Sequence, residues 1–265
     1  QILGGLGSVA VGGIVYEASE RSRGKKIPVD NEIQSMIAGR YAHYDVVAYE
    51  QELFWGIKLR TLIVSYGFTD LDVDDKGEVT ETESFCFAEQ PTNMIYKSYV
   101  NDSLTQAIQP RPARAFLGSK DGKMTLVRPE TPTPLGVHMS DPVNEPFPTN
   151  PKDSRIFDAD GDGNPGATVR LGFKNGKIYI IRLEKFAYEM TRREDGSWFG
   201  LVKDNSDQLV VGTDPSYLKL DNQKNFKQNR DQDKSFIYLV PVDKSYDCNR
   251  LKGERDALFP KNPKP

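Results

Sequence analysis

Cysteine and histidine are nearly absent from this 265-residue sequence, with two of each. So few soft ligands argue against a zinc centre of the usual four-ligand kind. No run of 18 uncharged apolar residues occurs, which excludes a bundle of membrane-spanning helices. An excess of one charge is missing too. Lys and Arg number 35 against 38 Asp and Glu, so the net charge is -3 and no basic field attracts nucleic acid. There is no GxSxG elbow, P-loop, HExxH or dinucleotide fingerprint. Gly5-Leu6-Gly7-Ser8 is Gly-rich but lacks the preceding strand that a phosphate loop needs. These absences favour a non-enzymatic protein over an enzyme. What is present is 22 Gly, 17 Pro, 12 Tyr and 13 Phe, a composition of strands and turns.

The chain divides by texture. Residues 1–26 form a Gly-rich N-terminal arm, uncharged from Ile2 to Tyr16, with a charged run from Glu17 to Lys26. Such an arm is suited to docking on a protein partner or a second copy. With basic residues just after it, it also fits the remnant of a membrane anchor. Residues 27–109 make a first β half. In it, Asp30-Asn31-Glu32-Ile33 predicts a short capped helix ending by Gly39. Strands are expected over 40–50 and 57–68, then a turn at Asp75-Lys76-Gly77 and a return strand over 79–87.

Residues 110–152 hold 9 of the 17 prolines and read as an irregular crossing, broken by one hairpin around Lys120-Asp121-Gly122. Residues 153–250 form a second β half, a meander with strands expected over 168–173, 177–184, 186–192, 198–203, 208–212 and 236–242. Residues 251–265 complete the chain as a C-terminal tail. The fold class expected is mainly β: an antiparallel meander forming a barrel-like domain, with one short N-terminal helix. Barrel closure would remove the sheet edges that so many strands create.

One motif carries chemistry. Asp158-Ala159-Asp160-Gly161-Asp162-Gly163-Asn164 places three carboxylates at alternate positions with glycines between them. That spacing wraps a hard cation in oxygen ligands, and calcium is the expected ion. Asp158, Asp160, Asp162 and Asn164 are the expected metal ligands, with Asp153 the upstream candidate for a further carboxylate. The loop is not an EF-hand, because its twelfth position is Val169 instead of Glu and Pro165-Gly166 precludes a following helix. The competing reading is a metal-free turn held by Asx hydrogen bonds. Asp70, Asp72 and Asp74 line one strand face and read as solvated. His43 sits in a Tyr-rich strand and reads as a packing residue. Paired carboxylates acting as acid and base stay open, since distance is invisible in sequence.

Cys86 and Cys248 permit one disulfide across 162 positions, and two buried free thiols are the alternative. A Gln at position 1 suits a mature exported chain whose signal peptide has been removed.

The run Phe157-Asp158-Ala159-Asp160-Gly161-Asp162-Gly163-Asn164-Pro165-Gly166-Ala167-Thr168-Val169 resembles the loop of a family of exported bacterial β-rich proteins without an assigned activity. Gln208-Leu209-Val210-Val211-Gly212 and Tyr246-Asp247-Cys248 extend the resemblance over about 95 residues. Gly39-Arg40-Tyr41 stands where lipocalins carry Gly-x-Trp, and the resemblance implies a barrel of lipocalin or calycin type. The resemblance implies a periplasmic, outer-membrane-surface or extracellular location. The function expected is an exported structural or interaction protein of the bacterial envelope with a calcium-stabilised loop. A barrel holding a small apolar ligand comes second, and a carboxylate-dependent hydrolase third.

Overall fold

The computed structural model describes residues 23–52, 56–74, 76–93, 98–100, 102–108, 112–171, 176–216 and 227–265. The arm through position 22 lies outside the described residues, and with it the docking and anchor expectations. Phe54, Trp55 and Asp75 also lie outside.

The strands are β1 (Lys25–Lys26), β2 (Gly39–Glu52), β3 (Lys58–Val73), β4 (Val79–Glu89), β5 (Ser98–Val100), β6 (Pro112–Lys120) and β7 (Lys123–Leu135). They continue as β8 (Ala167–Leu171), β9 (Lys177–Arg192), β10 (Trp198–Asp204), β11 (Asp207–Asp214), β12 (Lys227–Gln228) and β13 (Phe236–Val242). The helices are α1 (Asn31–Ile37), α2 (Asp102–Ala107) and α3 (Cys248–Leu258). None of these is long and apolar enough to cross a membrane.

All named strand pairs are antiparallel, and eight strands pair in a ring. The order is β6-β4-β3-β2-β13-β10-β9-β7, with β7 returning to β6. Both halves of the chain contribute: β13 pairs with β2, and the β6–β7 hairpin bridges them on the other side, β6 to β4 and β7 to β9. The turns are local and legible. Asp74 Oδ1 accepts from the Lys76 and Glu78 amides between β3 and β4. Asp121 and Gly122 adopt positive φ between β6 and β7. Gly200 has a closer reason: a Cβ there would stand 1.9 Å from the Glu189 carbonyl oxygen on β9.

Period-two alternation sorts side chains to two cores. Inside the ring, Tyr41, Leu71, Leu126, Met190, Trp198 and Leu239 fill one end, and Ile37 of α1 joins them. Asp30 caps that helix by accepting from the Ile33 amide. Outside the ring, Tyr44, Val46, Val64 and Tyr66 of β2 and β3 are covered by Leu251 and Phe259 from α3 and the residue after it. Both faces of β2 are therefore buried. A disulfide joins Cys86 of β4 to Cys248 at the first turn of α3.

Four sequence expectations are corrected. The single N-terminal helix is joined by α2 and by α3, so the C-terminal tail 251–265 begins as packed helix. Asp247 starts α3 by accepting from the Arg250 amide. The crossing is shorter than 110–152, because β6 and β7 extend through Leu135. Past Val127, β7 pairs on one side only, with β9, so Pro132 and Pro134 fall where no ladder donor is needed. The strands expected over 177–184 and 186–192 are one continuous strand, β9.

Candidate functional site

Alternation on the ring strands also sends charged side chains inward. Arg182, Glu184 and Tyr188 of β9, His43 and Asp45 of β2, and Glu81 and Glu83 of β4 all point to the interior, with Arg128 of β7 and Asp204 of β10. They lie beside a cavity of about 110 Å³. Its apolar wall includes Ile63, Phe85, Phe186, Val202 and Ile237, and residues outside the ring strands, such as Ile108 and Val169, continue it.

The charged groups form two clusters. In the first, Arg128 is paired with Glu81 and lies 3.2 Å from Glu83, and it donates to the Phe186 carbonyl at 3.0 Å. Tyr188 donates to Glu81 and Glu83. His43 joins this group: its Nδ1 is 2.8 Å from Thr69 Oγ1, and its Nε2 is 2.9 Å from Asp45 Oδ2. In the second cluster, Arg182 meets Asp204 and the Tyr49 hydroxyl, both at 3.0 Å, and Gln208 at 3.3 Å. Glu184 has only a 3.5 Å approach from Arg182 Nε.

Burial sets the protonation of this cluster. It pushes the Glu184 carboxyl up to about 7. Arg182 opposes that shift, while Asp204, Asp45 and Glu83 add to it. Burial likewise raises Glu81 to about 7 against the pull of Arg128. Burial works to lower His43, but the hydrogen bond and charge of Asp45, with Glu83 and Glu81 behind, outweigh it and raise the imidazole. A cavity bordered by Glu184, an acid held near 7, and by an imidazole whose proton affinity is raised can bind a polar group or move a proton.

Sequence reasoning missed this site. His43 was expected only to pack, yet it lines the cavity and is hydrogen-bonded on both ring nitrogens. A signal was available: charges at the inward parity, as in Tyr41-x-His43-x-Asp45-x-Val47 and Arg182-x-Glu184-x-Phe186-x-Tyr188. Tyr41 and Tyr49 point inward and Tyr44 faces α3. Asp70 is paired with Arg40, as a strand-face carboxylate can be.

The Asp loop lies between β7 and β8. Carboxylate oxygens of Asp158, Asp160 and Asp162 come within 4.8 Å of one another. Asp158 accepts from the Gly161, Asp162 and Gly163 amides, and these hold its carboxyl below the usual range. Gly161 and Gly163 adopt positive φ to present those amides. Asp162 accepts from Asn164 and from the Thr168 hydroxyl, and Asp160 Oδ2 from the Thr168 amide. Asp160 Oδ1 is buried without a hydrogen-bond partner. Asn164 stands beside the group, with its amide nitrogen 3.0 Å from Asp162 Oδ1. Asp153 is turned away, bound through both oxygens by Arg155.

No family model, no curated protein and no solved structure matches the chain. Function is therefore argued from the site alone.

Proposed function

We propose that the protein is an exported β-barrel of calycin type that binds a small ligand inside its eight-stranded ring. One observation carries this reading: a cavity of about 110 Å³ with an apolar wall and an ionisable border. A structural plug would fill its interior with packed side chains, as the Tyr41–Trp198 end does. Keeping several charged groups beside an unfilled space costs stability, which a binding role explains. The Cys86–Cys248 disulfide supports a life in an oxidising compartment.

The test is a thermal-shift and calorimetric titration with benzyl alcohol and toluene, single-ring probes chosen because a cavity of ~150 Å³ takes benzene and this one, at about 110 Å³, is somewhat smaller. Binding is expected in the wild type and is lost in Ile63→Phe, which fills the cavity from β3. Failure of both probes to bind, with nothing co-purifying by native mass spectrometry, would sink the reading.

A second reading concerns the loop. Three gathered carboxylates and the unpartnered Asp160 oxygen support a stabilising calcium there. Lacking a bidentate Glu, the loop is expected to bind with an affinity of ~10⁻⁴ M. Millimolar calcium should then raise the melting temperature of the wild type relative to chelator, and Asp160→Ala should abolish the rise. An identical midpoint in calcium and chelator makes the loop a metal-free turn.

A further inference from the structure

We infer that the ligand of this cavity carries a basic nitrogen, held as a cation by Glu184 and Asp45. The inference rests on the binding reading above and deepens it by naming the chemical class. It follows from which polar groups around the cavity are already engaged. Both guanidinium groups are occupied. Arg128 is held by Glu81, Glu83 and the Phe186 carbonyl. Arg182 is held by Asp204, Tyr49 and Gln208. His43 is bonded on both nitrogens. Among the described residues of this network, an anionic head group finds no uncommitted cation.

The acceptors are in the opposite condition. The network holds five carboxyl groups (Asp45, Glu81, Glu83, Glu184 and Asp204) against two guanidinium groups and one imidazole. Asp45 is 7% exposed, and its Oδ1 accepts no hydrogen bond of good geometry, although the Ser65 hydroxyl lies near its carboxyl group. Glu184 lines the same cavity with only the distant Arg182 Nε to face. Asp45 Oδ1 is a buried acceptor without a donor, which is costly, and the half-buried Glu184 carboxyl is open to the same cavity. A ligand N–H⁺ satisfies them, and the apolar wall receives its hydrocarbon part. One ligand cation narrows the excess of carboxyl groups over basic groups from two to one.

Protonation couples to this. Glu184 faces Arg182 on its own strand, Asp204 from β10, Asp45 from β2, and Glu83 from β4. Arg128 of β7 also feels its charge. The acid, raised to about 7, must release its proton to receive a cation. Cation affinity therefore rises with pH, by about tenfold between pH 6 and 8 for one proton released.

The test compares benzylamine, benzyl alcohol and benzoate by isothermal titration of the full chain at pH 6 and pH 8. Benzylamine at pH 8 is expected to bind at least about tenfold tighter than benzyl alcohol, the factor a charge-assisted hydrogen bond supplies. Benzoate should bind most weakly. The preference for the amine should collapse towards unity in Glu184→Gln and fall in Asp45→Asn. It should persist in Glu189→Gln, a change at an exposed carboxylate on the same strand. If the alcohol binds and the amine binds no tighter, the basic-nitrogen assignment fails while the binding reading stands. If none of the three binds, both fail. A preference that survives both Glu184→Gln and Asp45→Asn also overturns it.

Discussion

Replacing Cys86 and Cys248 together by alanine is expected to destabilise the protein by about 2–5 kcal/mol. The two cysteines are 162 positions apart, so the bond closes about three fifths of the chain into one loop. In the chain-entropy account, a loop of that size restricts the unfolded state by ~5 kcal/mol, an upper figure. The bond also pins the first turn of α3 to β4, beside the outer core that Leu251 and Phe259 complete. Without it, that helix is held by its apolar contacts and by ion pairs such as Arg255–Glu89 and Lys252–Asp102, whose partners are about a third to a half exposed. Pairs so exposed contribute little. For a chain this long, the loss corresponds to a fall in melting temperature on the order of 10 °C. Urea unfolding of the oxidised wild type and the double variant measures it. A difference below about 1 kcal/mol would mean that the crosslink hardly restricts the unfolded chain.

Glu184→Gln is expected to stabilise the protein at pH 8 and to leave it little changed at pH 4–5. Burial favours the neutral acid, so the folded chain holds a proton that the unfolded chain has released. A folded value raised above the unfolded one gives stability that is complete below about 4.5. That stability is lost as pH rises through about 7. The rise from 4.5 to about 7 corresponds to roughly 3 kcal/mol. Glutamine keeps the shape and never ionises, so it removes this loss. Glu81 and His43 are also raised and act in the same direction, so part of the slope remains in the variant. Denaturant midpoints at pH 5 and pH 8 decide the matter. A wild type equally stable at both, or a variant weaker at pH 8, would contradict the burial of a protonated Glu184.

Much of this was legible in the chain. Asp30 announced the first helix, Asp121-Gly122 the β6–β7 hairpin, and alternation the strands from Gly39 to Glu89. These features are set by bonds and side chains within a few residues of one another, so a linear reading captures them. The Asp158–Asp162 cluster belongs here too, because its carboxylates and the amides they accept from lie within a few positions. The α3 helix left a fainter trace, Asp247 as a cap, with no strong apolar stripe behind it. The run past Pro129 was misread because proline rules out a ladder only where a donor is needed. Whether one is needed depends on which neighbour a strand lacks.

The sequence by itself determined the β class, the turns, the pairable cysteines and the acidic loop, all products of local geometry or of residue type. Only the tertiary structure decided that the two halves share one ring and that His43, Asp45, Glu83, Arg182 and Glu184 meet beside a cavity. Period two separates two faces of a strand without saying which is inside. On β2, with one face against the interior and the other under α3, burial of both removes even the contrast between them. Which charges face inward is fixed by register between strands far apart in the chain, such as β13 on β2 and β9 on β7.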